Sequence, residues 1–195
     1  MYICKKDMVN LEKEVSEILK IVEDRQKELG LTFEEETHTY TMKGLDGVLT
    51  TDFPSVSTVL KNFYTPFPAE EIAERKSKGD LEFKEQLLKE WADAGTYATN
   101  MGSRAHYELE KESLSLFGRD KEVREPIFEC DFNQTLKSDF MIKAGTDFLK
   151  LMKERGAVLL DTEMVLGDPE LGYTGQPDSM WLIFNKKTNS LGFII

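Results

Sequence analysis

The chain has 195 residues and a mass of 22.4 kDa, and its 25 Lys and Arg against 36 Asp and Glu leave a formal charge of −11. A chain of this length buries roughly 70% of its unfolded surface, enough for one domain with its own core, and a 40% hydrophobic content argues against wholesale disorder. The acidic balance excludes a protein that coats duplex nucleic acid by displacing counterions, but not an enzyme that grips nucleic acid locally around a metal-loaded acidic centre.

The longest fully apolar run is Met180–Phe184, far short of the ~20 residues of a membrane helix. The opening MYICKKDMVNLEKE turns charged too soon for the core of a signal peptide. Cys4 and Cys130 offer neither a disulfide framework nor metal-ligand spacing, so a reducing, cytoplasmic setting without membrane association is expected.

In chain order, Leu11, Val15, Ile18, Leu19 and Val22 recur at helical spacing, with Asn10 as a candidate cap and Gly30 at the exit. Residues 1–30 are therefore expected to form an amphipathic helical extension. Leu31 to Met42 is rich in Thr, Tyr and Phe and predicts β structure, followed by turn signals at Gly44–Gly47. After Pro54, Ser55 or Ser57 can cap a short helix through Val59 and Leu60, which Tyr64–Pro68 ends. A helical region is expected from Ala69 to about Gly156, interrupted near Gly79–Asp80, Gly95, Gly118 and Arg124–Pro126. Within it, Leu81, Leu87, Leu88 and Trp91 mark one helix, Met101 to Leu116 a second and Leu136 to Met152 a third.

The last region is β. Ala157–Leu166 and Tyr173–Phe184 flank the turn Gly167–Gly172, and a second turn, Asn185–Ser190, leads into the apolar Leu191–Ile195. The fold class is thus α/β of the mixed α+β kind, with a helical part at about 55–156 and a sheet part at about 157–195. An apolar last strand with nothing after it also predicts weakened stability or self-association at an exposed sheet edge.

Three residues are candidates for chemistry. Asp178 stands at the front of a strand in which Met180, Leu182 and Phe184 share its face by period two. A carboxylate there is costly to bury unless it is paired, bound to a cation or satisfied by backbone N–H groups of the turn. If the intervening turn centres between Pro169 and Glu170, Glu163 falls on the same sheet face as Asp178, whereas a one-residue slip moves it to the other. It is then either a partner of Asp178 or an exposed edge residue. His106 shares a helix face with Gly102, Ser103 and Glu110, so it is either a ligand with room for a close approach behind it or a histidine hydrogen-bonded to Glu110. His38 has no acidic companions at ligand spacing and is assigned a structural role. The basic groups Lys76/Lys78, Arg119/Lys121/Arg124 and Lys186/Lys187 are read as solvated surface rather than a phosphate track. No nucleophile elbow, P-loop, dinucleotide-binding glycine motif or HExxH is present.

Taken together, FPSVSTVL at 53–60, GSRAHYELE at 102–110, TEMVLGDPELGYTGQPDSMWLIF at 162–184 and LGFII at 191–195 resemble the PD-(D/E)XK nuclease superfamily. The resemblance is closest to the RecB-like exonucleases that phages use in recombination, with a mitochondrial genome-maintenance exonuclease as a relative. It covers residues 38–195. It implies a restriction-endonuclease-like core, a mixed β-sheet flanked by helices, over residues 31–195. It also implies a metal-dependent DNA exonuclease of linear ends, with His106, Glu163 and Asp178 as catalytic residues that ligate Mg2+ or Mn2+. Ser103, Arg104, Tyr173 and Gln176, within the same motifs, become candidate substrate contacts. A recombination or single-strand-binding protein is an expected partner, and the bacterial host cytoplasm an expected location for a phage-encoded member. The family's acid-x-Lys does not follow Asp178 within the 195 residues. The expectation is therefore an N-terminal fragment that is catalytically silent, or a nuclease-fold module that binds DNA ends or a partner without cutting.

Overall fold

The computed structural model describes residues 5–185 and 190–194. Cys4, the lysine pair Lys186/Lys187 with most of the turn around them, and Ile195 lie outside the described residues. The protein is mixed α/β, and its residues fall into two compact units. The first comprises Met1–Tyr64, Ser113–Asp120 and Phe148–Ile195; the second comprises Thr65–Glu112 and Lys121–Asp147. No helix among the described residues is long and apolar enough to cross a membrane.

In the first unit, α1 (Lys5–Leu29) starts at least five residues before the expected cap, so Asn10 lies inside the helix. The helix is also no appendage. Leu11 and Val15 are buried in one cluster with Leu160 and Leu182, with Ile18, Leu19, Val158, Met180 and Phe184 packed against them. The apolar stripe expected from periodicity is thus the cover of a sheet, and burial of such side chains is the dominant stabilising term. Gly30 leaves the helix at φ +58, as an αL exit requires.

Next come β1 (Thr32–Glu34), β2 (Thr39–Lys43) and β3 (Leu49–Thr50), an antiparallel three-stranded sheet. Tyr40 and Met42 point to its buried side. Ser55 caps α2 (Val56–Lys61) by accepting from the Thr58 N–H at 3.1 Å.

Five more strands complete this unit: β4 (Val158–Thr162), β5 (Leu166–Asp168), β6 (Tyr173–Gly175), β7 (Ser179–Asn185) and β8 (Ser190–Ile194). In place of one mixed sheet they form two antiparallel ones, ordered β4-β7-β8 and β5-β6. One parallel bridge, Ser55 with Thr174, ties the start of α2 to β6. The first sheet is covered on both faces at β4 and β7. α1 lies on one, and on the other Trp181 meets Phe117 edge-on, ring centroids 5.0 Å apart. β8 is an edge strand with Leu191, Phe193 and Ile194 exposed.

The second unit holds α3 (Ala69–Ser77) and most of α4 (Leu81–Phe117) and α5 (Phe132–Glu154). The break at Gly79–Asp80 and the exit at Gly118, φ +64, stand where the sequence puts them. The break at Gly95 does not. α4 runs 37 residues without interruption, because one glycine costs a helix only about 1 kcal/mol and long flanking turns absorb it. Lys84 bridges Glu70 and Glu74 of α3, and Trp91 takes Phe67 edge-on at 5.3 Å and Lys76 at 5.5 Å. The Gln134 amide donates to the Tyr97 carbonyl, and Gly145 lets Leu109 sit directly against α5.

Candidate metal centre

The hairpin that carries Glu163 and Asp178 is set by its register. β4 pairs with β7 as Thr162 with Ser179, and β5 with β6 as Leu166 with Gly175, Gly167 with Thr174 and Asp168 with Tyr173. The turn therefore centres between Glu170 and Leu171, one position later than the sequence suggests. Moving the centre by a whole residue changes the pairing by two, which preserves sheet faces. Continued between the two ladders, the register places Glu163 directly opposite Asp178.

Glu163 is not a strand residue, however. β4 ends at Thr162, and Glu163 adopts φ +46, a left-handed conformation unusual for a side chain with a Cβ. The irregularity starts upstream, where a bulge shifts the β4–β7 register between Leu159 and Asp161. Bulges bend a strand and re-aim the side chains beyond them. The Arg119 guanidinium holds the residue before this bulge, donating to the Leu159 carbonyl from Nε at 3.0 Å and from a terminal nitrogen at 2.6 Å. Arg119 is therefore a structural tether rather than solvated surface.

Three hydrogen bonds fix the segment after the bulge. The Glu163 N–H donates to the Asp178 carbonyl at 3.3 Å, the Gln176 amide donates to the Glu163 carbonyl at 3.0 Å, and the Gln26 amide of α1 donates to the Val165 carbonyl at 2.6 Å. So held, a carboxylate oxygen of half-buried Glu163 and one of exposed Asp178 lie within 4.8 Å of each other. Asp178 has no hydrogen bond or ion pair to its carboxylate among the described residues. Two like charges this close repel, by about 1 kcal/mol at 4 Å in water and more where the effective dielectric falls. A cation with oxygen-ligand distances near ~2.1 Å relieves that repulsion and suits this donor chemistry.

His106 lies on α4 in the second unit and is exposed. A Cβ on Gly102, one turn before it, meets nothing within 4 Å, so the space there is open. Arg104 is committed to α5: its guanidinium donates to the Thr135 carbonyl at 3.2 Å, to the Ser138 hydroxyl and to the Asp139 carboxylate at 2.7 Å. Ser103 is half-buried on the same helix. Gln176 clamps the backbone of Glu163, and Tyr173, 36% exposed, lies on β6.

Residues that sequence reasoning did not single out complete the surroundings of Glu163. Tyr40 is 5% exposed, and burial first, the Glu163 charge second, push its phenol above the ordinary tyrosine range. The phenol therefore stays protonated and neutral beside the carboxylate. The alternation of THTYTM contains the signal, since period two puts Tyr40 and Met42 on one face. His38, at φ +52, packs edge-on against Phe33 at 5.2 Å, in keeping with a structural role. Comparison of the chain with protein-family models, with curated proteins and with solved structures gives no match.

Proposed function

We propose that the chain carries the metal centre of a DNA phosphodiesterase of the PD-(D/E)XK type, with His106, Glu163 and Asp178 holding Mg2+ or Mn2+ and linear DNA ends as the substrate. The observation that carries this reading is the Glu163–Asp178 pair, set face to face by a bulged hairpin and an αL residue. A strained backbone beside two closely set carboxylates is costly to maintain and is characteristic of ligand sites. The two carboxylate oxygens of the pair suit Mg2+, and an imidazole contributed by His106 would make Mn2+ an equally good occupant. When bound, such an ion supplies positive charge that polarises a scissile phosphate and acidifies a water. The chain's own residues position and tune: Gln176 fixes the Glu163 backbone, Tyr40 adds no charge, and exposed Asp178 leaves the phosphate an open approach.

A second reading keeps the same centre in a nuclease-fold module that binds DNA ends. On that reading the domain holds a metal ion and a DNA end without hydrolysing it.

Both readings require the metal, and titration tests it. Wild-type protein should bind Mn2+ saturably by calorimetry, and saturation at 100 times the dissociation constant should stabilise the fold by about 2.7 kcal/mol. Asp178→Asn and Glu163→Gln should each weaken binding at least about tenfold, and His106→Ala should weaken it measurably. Unaltered Mn2+ affinity in a folded Asp178→Asn variant would overturn the centre. Retention of a labelled linear duplex, but not of the same duplex with hairpin-closed ends, tests the substrate. Hydrolysis of that duplex with Mn2+ separates the enzyme from the binding module.

A further inference from the structure

Glu163 owes its place opposite Asp178 to a short span that belongs to neither sheet. β4 ends at Thr162 and β5 begins at Leu166, so Glu163, Met164 and Val165 cross from one sheet to the other. Both ends of the span are fixed. Upstream, Thr162 is buried and paired with Ser179. Downstream, a Cβ on Gly167 would stand 2.6 Å from the Met42 sulfur, 3.2 Å from Leu31 and 3.3 Å from Thr174. That part of β5 therefore has no room to shift. In the middle, the Met164 side chain is buried.

What such a span can still change is the direction of its peptide groups, and two amide side chains set that. The Gln176 amide holds the Glu163 carbonyl, and the Gln26 amide holds the Val165 carbonyl at 2.6 Å. Gln26 comes from 139 residues away in the chain, near the end of a helix whose apolar stripe is seated on β4 and β7. Its own carbonyl accepts from the Leu31 N–H at 2.9 Å, and Leu31 is one of the side chains wedged against Gly167. Gln26 and Val165 are both half-buried, so water reaching the Val165 carbonyl would satisfy it about as well. A water would not hold it in one direction.

We propose that Gln26 is a positioning residue of the metal centre. By holding the Val165 carbonyl it keeps Glu163 at φ +46 and the Glu163 carboxylate beside that of Asp178. A residue with a Cβ sheds strain by leaving the αL region. A three-residue span anchored at both ends can do so once one of its carbonyls swings free. Loss of the Gln26 N–H donor therefore costs metal affinity although no ligand is touched. The proposal takes its functional meaning from the metal-centre reading, but the geometric link from Gln26 to Glu163 stands apart from it. Gln26 also lies outside residues 38–195, so the family resemblance does not imply this role.

Gln26→Met keeps the length of the side chain and removes the donor. By calorimetry it should weaken Mn2+ binding about tenfold, the low end of what losing a partner behind a metal ligand costs. The urea midpoint should stay close to that of the wild type. A purely structural role would carry the same loss into every background. A positioning role acts through one carboxylate, so in Glu163→Gln the same change should alter Mn2+ affinity by less than about twofold. In EDTA, the Glu163 Cα and Cβ chemical shifts should be those of an αL residue in the wild type and move toward negative-φ values in Gln26→Met. Unchanged Mn2+ affinity in folded Gln26→Met, an equal loss with and without the Glu163 carboxylate, or unmoved Glu163 shifts would each overturn the proposal. Should Gln26→Met fail to fold, Gln26→Ala is read in its place. Should the wild type bind no Mn2+, the metal-centre reading fails, and the shifts in EDTA still decide whether Gln26 positions Glu163.

Discussion

Glu163 and Asp178 are joined twice across the hairpin, by the hydrogen bond from the Glu163 N–H to the Asp178 carbonyl at 3.3 Å and by carboxylates that approach within 4.8 Å. The first contact is attractive and holds the second, repulsive one in place. Because Glu163 sits at φ +46, its backbone conformation carries a cost of about 1–2 kcal/mol that glycine would not incur. Glu163→Gly should therefore be more stable than Glu163→Ala by about 1 kcal/mol, although both delete the same carboxylate. Equal urea midpoints for the two would show that the positive φ is not maintained in solution.

The α1 stripe makes a second prediction. Leu11 is 5% exposed and packs in the cluster with Leu160 and Leu182, so Leu11→Ala should destabilise the first unit by about 2–3 kcal/mol. Amide exchange should quicken in β4 and β7 as well as in the helix. Exchange confined to residues before Gly30 would instead describe an independent appendage.

Tyr40 gives a pH dependence with a definite sign. Its phenol is held above the ordinary value of about 10, first by burial and then by Glu163. The folded state therefore holds this proton more tightly than the unfolded state does. That contribution is complete below about pH 10 and is lost as pH rises from there toward the folded value. Urea midpoints at pH 9 and 11 should fall less in Tyr40→Phe than in the wild type, and one tyrosine should ionise later than the rest by absorbance.

Two helical glycines should respond in opposite directions. A Cβ on Gly95 meets nothing within 4 Å, so Gly95→Ala should stabilise α4 by about 1 kcal/mol through helix propensity alone. A Cβ on Gly145 would stand 2.5–3.1 Å from three atoms of Leu109, so Gly145→Ala should overpack that contact and destabilise by about 1–2 kcal/mol. Thermal melts of the two variants check the pair.

The features legible in the sequence were those set by local chemistry. The Ser55 cap, the αL exits at Gly30 and Gly118 and the apolar stripe of α1 depend on nearest neighbours and helical period, and each stands where expected. The parity that puts Glu163 and Asp178 on one side survived a misplaced turn centre because whole-residue shifts of the centre conserve faces. Long-range features stayed hidden. Neither the bulge at Leu159–Asp161 nor its tether to Arg119, 40 residues earlier, leaves a mark in period or composition. Gly95 misled for a different reason: a residue type suggested a helix break, yet one glycine costs too little to interrupt the 37 residues of α4.

The two tryptophans fall one to each unit. Trp91 packs among the side chains of Phe67 and Lys76, while Trp181 packs edge-on against Phe117 and donates its indole N–H to the Ser179 hydroxyl at 2.9 Å, one residue beyond Asp178. The molecule is thereby equipped with two native optical reporters. Phenylalanine in place of one leaves the emission of the other to follow its own unit, and the indole of Trp181 provides a spectroscopic readout of events at the neighbouring carboxylate without any added label.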